Sequence, residues 1–191
     1  MSKVVLFFAM SLDGFIAGPD ISSVHPMGIG GERLHRWMFE NVSPIDMERM
    51  REPAERVGAV IVGRRTYDVG IDLWGDTPYP VPTFVLTNEK RDLKQMKSAA
   101  FTFVNDGIGS ALRQAQMAAG AKDIMLMGAN TAQQFIQAGL VDEMILQIVP
   151  VLLGAGSRLF DHIGSEMIEL EIPQVVASPA VTHLKFIVRK P

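Results

Sequence analysis

Val4-Val5-Leu6-Phe7-Phe8-Ala9-Met10, directly after Lys3, is apolar at every position. A strand with no polar face is one covered by helices on both sides, so this stretch predicts a central strand of an α/β sheet. Ser11-Leu12-Asp13-Gly14 ends it and opens a long loop. From Gly18 to Gly31 the loop carries Pro19, Pro26, Gly28 and Gly30, which predicts irregular chain lying over something, as lids do.

Working outward, strands and helices alternate. Leu34, Trp37 and Met38 recur at helical spacing and predict a short helix over Glu32 to Glu40 with Trp37 inward. Ser43-Pro44-Ile45-Asp46 reads as an N-cap, a first-turn proline and an acid at N3, and the helix behind it should be disturbed near Pro53. Gly58 to Gly63 is a buried strand running straight into Arg64-Arg65-Thr66-Tyr67, where a helix should start. Thr83 to Thr87, after a proline-rich turn from Pro78 to Pro82, and Phe101 to Val104 are further strands.

Asp106 should cap a helix ending at Gly120. Ile124 to Met127 is a strand closed by Gly128-Ala129-Asn130, the next helix stops at Gly139, and Met144 to Val149 is buried strand. Two alternating strands finish the chain, with Ile168, Leu170 and Ile172 and then Leu184, Phe186 and Val188 on one face. The order predicts one α/β domain over residues 1–191, a mixed, mainly parallel sheet with helices on both faces and a C-terminal antiparallel pair.

Composition narrows the function. The 191 residues are 48% hydrophobic and 20% charged, enough to bury a core. The absence of cysteine excludes disulfides and thiolate chemistry and points to a reducing compartment, the cytoplasm. Mean hydropathy is +0.18, yet the longest apolar runs fall far short of the roughly 18 residues of a spanning helix, so no membrane is expected. A net charge of −3 without a basic run argues against nucleic acid, and the cluster Lys90, Arg91, Lys94 and Lys97 reads as a solvated face. The four histidines never pair at ligand spacing, so no metal is expected.

Three strand ends can carry chemistry: Gly63-Arg64-Arg65-Thr66, Leu86-Thr87-Asn88 and Gly128-Ala129-Asn130-Thr131. Ligands of open α/β sheets bind outside such ends, and helix N-termini there favour phosphates. Two of these ends together suit one dinucleotide, while each alone is equally well a turn. Lys90 and Arg91 beside Thr87-Asn88 are placed to hold an extra ribose phosphate. Asp13 reads either as a carboxylate that orients substrate or relays a proton, or as an Asp-Gly turn. His35 and Glu32, near Trp37, are catalytic candidates or plain surface.

Ser11-Leu12-Asp13-Gly14-Phe15-Ile16-Ala17, Gly63-Arg64-Arg65-Thr66-Tyr67, Val85-Leu86-Thr87, Ala138-Gly139-Leu140-Val141-Asp142-Glu143 and Pro150-Val151-Leu152-Leu153-Gly154-Ala155-Gly156 occur in this order. Together they resemble the reductases related to dihydrofolate reductase and to the C-terminal reductase domain of riboflavin biosynthesis. The resemblance implies a dihydrofolate reductase-like three-layer fold, a homodimer, and NADPH bound across the strand ends. It places Ala17 beside the nicotinamide, Gly63 to Thr66 at the phosphates, Leu86 to Asn88 at the adenosine end and Gly128 to Thr131 at the pyrophosphate. Trp37 and Asp13 then belong to the substrate side.

Three departures matter. Met127 stands where the family has the first of two glycines and should crowd the pyrophosphate. Leu34 aligns with the carboxylate of folate reductases, which points away from folate. Phe15 replaces a lysine of the riboflavin-type members and predicts a flatter or less charged substrate. The expected activity is NADPH-dependent hydride transfer to a small planar heterocyclic or carbonyl compound, with Asp13, water or His35 completing the proton balance. The alternative is a non-catalytic nucleotide or small-ligand binding protein on the same fold.

Overall fold

The computed structural model describes residues 2–74, 80–97 and 100–190. Strand β1 (Val4–Ser11) is followed by a short β2 (Phe15–Ala17), a 3-10 helix at Gly31–Met38, α1 (Pro44–Arg56), β3 (Val57–Gly63) and α2 (Arg64–Trp74). Then come β4 (Thr83–Leu86), β5 (Lys94–Gln95), β6 (Ala100–Val104), α3 (Ile108–Ala119), β7 (Asp123–Met127), α4 (Ala129–Gln137) and β8 (Glu143–Val149). β9 (Ser157–Arg158), β10 (Leu170–Ala177) and β11 (Thr182–Val188) complete the chain.

Nine strands form one sheet in the order β10-β11-β8-β1-β7-β3-β4-β6-β5, and β2 pairs with β9 beside it. From β8 to β6 all neighbours are parallel, whereas β11 runs antiparallel to both β8 and β10. The expected mainly parallel sheet with an antiparallel C-terminal pair is therefore present. β1 lies inside it, as its two apolar faces require. Val4, Leu6 and Met10 join the cluster containing Ala111 and Ala115 of α3 and Phe135 and Ile136 of α4. Ala9 packs with Leu34, Trp37 and Val149 on the opposite face, and Val60 and Val62 pack there with Tyr67 of α2. Burying each large aliphatic side chain is worth about 1.5–3 kcal/mol, so two-sided cover stabilises the central strands most.

Some local expectations are corrected. Ser43 and Asp46 form the expected capping box, but Pro53 does not break α1, which continues to Arg56. Pro53 is buried, and packing of α1 onto the sheet outweighs the single hydrogen bond it forgoes. Asp106 does not cap α3: the N-cap is Gly107 at φ 93°, with no side-chain cap bond. With the first helical residue at Ile108, Asp106 sits one position too early to reach the free amides.

Of Ile168, Leu170 and Ile172, expected on one face, Ile168 packs against the core and the other two do not. The β10–β11 register shifts between Glu171 and Gln174, and β10 is the sheet edge, so Leu170 and Ile172 are exposed. Residues 78 and 79 of the Pro78 to Pro82 turn lie outside the described residues. Among the described residues, no helix is long and apolar enough to cross a membrane.

Candidate active site

Parallel strands end on one edge of a sheet, and here the ends of β1, β3, β4 and β7 open into one cleft of ≈ 1470 Å³. Gly63, Arg64, Arg65 and Thr66 line it at the start of α2, and Gly128, Ala129, Asn130 and Thr131 line it at the start of α4. Leu86, Thr87 and Asn88 border it at the end of β4, and Ala17 borders it from β2. The three strand ends singled out in the sequence thus meet around one space.

The two helix starts interlock. A Cβ on Gly63 would stand 2.8 Å from Thr131 Oγ1, and one on Gly128 would stand 2.7 Å from Thr66 Oγ1. Gly128 also has φ 89°, which favours glycine, so side chains are excluded where the two N-termini approach each other. The result is a cradle of backbone amides and two threonine hydroxyls, chemistry suited to a pyrophosphate. Met127 lines the cleft too, but it packs against the cluster of Val62 and Tyr67.

Charge at the adenosine end is arranged differently from expectation. Glu89, directly after Asn88, accepts from Arg64 and from Arg91, the latter at 2.8 Å. Asp68 pairs with both arginines, at 3.5 Å and 3.3 Å. The hydrogen bond from Arg91, helped by the charge of Arg64, holds the Glu89 carboxyl below its usual range. Arg64 and Arg91 are therefore already neutralised, because acids one turn along α2 and one residue beyond Asn88 face them. Lys90 is exposed and does not line the cleft. Arg65 lines it and makes no ion pair among the described residues.

A second group of lining residues contains no acid, lysine or arginine. It comprises Trp37, His35, Met50, Phe7 and Gln147. Trp37 is fixed by its Nε1–H donating to Leu34 O at 2.9 Å and by edge-on contact with His183, centroids 5.4 Å apart. His183 Nε2 lies 2.8 Å from Asp46 Oδ1, so the capping acid of α1 also anchors this wall. Burial pushes the His35 imidazole below its ordinary pKa, partly offset by the nearby Gly31 backbone, so it is neutral at neutral pH. Glu32 is exposed and does not line the cleft.

Asp13 departs from the role given to it. It does not line the cleft. Its carboxylate accepts from Ser11 Oγ at 2.6 Å and from the amides of Leu153 and Gly154 at 3.1 Å and 2.8 Å. The Ser11 hydroxyl and these amides pull its pKa down to about 2, so it carries no proton to donate near neutrality. Asp13 is a latch between the first loop and the segment after β8. Arg158 completes the latch, donating to Asp13 O at 2.8 Å with its guanidinium 4.3 Å from the Phe15 ring centroid.

The comparisons with known proteins agree with this architecture. The family model of the RibD C-terminal domain matches residues 2–184. The chain belongs to that family. Among curated relatives, the uncharacterized protein YwjB of Bacillus subtilis (strain 168) is 29% identical over 164 residues, covering 86% of each chain. A putative riboflavin biosynthesis protein from Shewanella sp. PV-4 superposes with a TM-score of 0.74 at 24% identity, covering 100% of both chains. Dihydrofolate reductase from Enterococcus faecalis, complexed with NADP(H), superposes with a TM-score of 0.62 at 14% identity over 98% of this chain and 97% of that one. The fold is dihydrofolate reductase-like, and membership of the RibD C-terminal domain family makes the chain an oxidoreductase at the family level.

Sequence reasoning missed Glu89, Arg158 and Gln147. For Gln147 a signal existed: it is the polar residue inside the apolar run Met144 to Val149. Arg158 acts through Asp13, 145 residues away, and had none, whereas Glu89 pairs with Arg91 only two residues on and with Arg64 25 residues back.

Proposed function

We propose that this protein is a reductase that uses NADPH to deliver a hydride to a small planar heterocyclic or carbonyl compound. The observation that carries the reading is the continuity of one cleft from the glycine-edged ends of β3 and β7 to the wall formed by Trp37. The cradle fits the cofactor: the first amides of α2 and α4, with Thr66 and Thr131, would hold the pyrophosphate, and Arg65, which makes no ion pair among the described residues, brings a cation to it. Thr87 and Asn88 would hold the adenosine end, and Ala17 would border the nicotinamide.

When bound, the reduced nicotinamide supplies the hydride. The chain's own part is positioning and exclusion of water. Trp37 offers a flat apolar wall to a planar substrate, and Met50 and Phe7 keep that half dry. A neutral His35 has no acidic proton to give at neutral pH, so the proton that accompanies the hydride would come from water.

Trp37 and Trp74 both line the cleft, so their fluorescence reports occupancy. Titration with NADPH should give saturable quenching, and supplying a substrate should consume the reduced-nicotinamide absorbance. If neither NADPH nor NADH gives a saturable response, the cleft belongs to a binding protein without reductase chemistry.

A further inference from the structure

Gln147 is the least explained side chain of the cleft. It sits on β8 with Ala9 of β1 and His183 of β11 as register neighbours, and it is 1% exposed. Neither Oε1 nor Nε2 has a hydrogen-bond partner among the described residues. Leaving a buried amide group unsatisfied costs about 1–3 kcal/mol per group, so such a residue in a dry wall needs a reason. A leucine of similar volume would fill the same space without that cost.

The neighbours narrow the reason. Gln147 lines the cleft on the side of Trp37 and His35, where Asp46 is engaged by His183 and does not line the cleft, and Leu34 is buried beside Trp37. His35 Nδ1 and His183 Nδ1 are also buried without a hydrogen-bond partner among the described residues, and of these two histidines only His35 lines the cleft. A primary amide offers one donor and one acceptor side by side, the complement of a cis N–H/C=O edge. It carries no charge to pair with a cationic ring or to tolerate an anionic one.

We propose that Gln147 is the substrate-recognition residue of this cleft, its side-chain amide reading the adjacent N–H and C=O of an uncharged lactam-bearing heterocycle stacked beside Trp37. This deepens the reductase reading and rests on it for the location of the substrate half. A site built to hydrogen-bond an edge rejects the analogue lacking it far more strongly than a greasy pocket rejects an added group.

The test pairs binding with stability, because a ligand-reading amide and a structural one behave oppositely when removed. Lumazine, a neutral pteridine-2,4-dione, and quinoxaline, a fused bicycle with no lactam edge, are titrated against wild type and Gln147→Leu by tryptophan quenching. Wild type should bind lumazine at least tenfold more tightly than quinoxaline. Gln147→Leu should erase that ratio while its urea midpoint stays equal or rises and its NADPH affinity is unchanged.

Equal affinity for the two probes in wild type would overturn the assignment, as would a Gln147→Leu protein that is destabilised while keeping the ratio. The two readings fail separately. Saturable NADPH binding with no lactam preference removes only the role of Gln147. Lactam preference lost in Gln147→Leu without any dinucleotide binding removes the reductase reading and leaves the recognition residue standing. No binding of either kind overturns both.

Discussion

Thr131 at the start of α4 stands against Gly63 at the end of β3 so closely that a Cβ on the glycine would come within 2.8 Å of the threonine hydroxyl. The contact joins two helix N-termini across the cleft, and the matching approach of Gly128 to Thr66 makes it reciprocal. Gly63→Ala must therefore push Thr131, which is 1% exposed and has little room to move. We expect about 1–3 kcal/mol of destabilisation from overpacking and at least tenfold weaker NADPH binding. Adding Thr131→Ala should recover most of the stability, read as a double-mutant cycle from urea melts. Additive losses would mean that the two residues do not touch.

Glu89 competes with any phosphate for Arg64 and Arg91. Replacing it by glutamine should leave both guanidiniums paired with Asp68 alone and remove a repelling charge. Glu89→Gln should tighten NADPH about tenfold and leave NADH nearly unchanged, an effect that shrinks in high salt. Isothermal titration with both dinucleotides measures it. Equal shifts for the two would show that Glu89 does not select at the ribose phosphate.

Asp13 is a latch, and its variants should behave as loop variants. Asp13→Ala should lower the melting temperature and speed proteolysis near Leu153 and Gly154, whose amides it holds. The limbs of the pH–rate profile should stay in place, since the group is already ionised down to about pH 2. Movement of the acid limb in this variant would return Asp13 to the chemistry.

Glu143, on β8, carries the acid sensitivity of the sheet. Burial pushes its pKa up, but the hydrogen bonds of Arg56 at 2.8 Å and of Lys185 at 3.2 Å overcome this and hold it down to about 2. Because the folded value lies below the ordinary value of 4.5, its stabilisation is complete above that pH and is lost as pH falls from there toward 2. Urea midpoints should fall across this window in wild type and much less in Glu143→Gln. The variant should also lose about 3 kcal/mol at pH 7, since Arg56 is left short of a buried partner. A flat wild-type profile between pH 5 and 3 would contradict the assignment.

The rim of the cleft was legible in the sequence because its signals are local. A glycine ending an apolar strand before a helix is read within a few residues, and Gly63 and Gly128 both carry it. The capping box of Ser43 and Asp46 spans one turn and is equally plain. Asp46 has a second role against His183, 137 residues away, and no spacing rule reaches that far. Asp13 misled for the same reason: Asp-Gly after a strand reads as turn or catalyst, and only the amides of Leu153 and Gly154 decide that it is a latch.

From sequence alone follow the parallel sheet covered on both faces and the helix starts that could receive a dinucleotide, since periodicity and turn chemistry are short-range properties of the chain. Tertiary structure alone decided that Glu89 neutralises the expected phosphate arginines, that Gln147 lies orphaned beside Trp37, and that β10 leaves Leu170 and Ile172 uncovered. Apart from the pairing of Glu89 with Arg91, two residues on, each of these depends on which distant residues become neighbours. Electrostatic and hydrogen-bond partners are set by distances of a few ångströms between segments that the sequence separates by tens of residues.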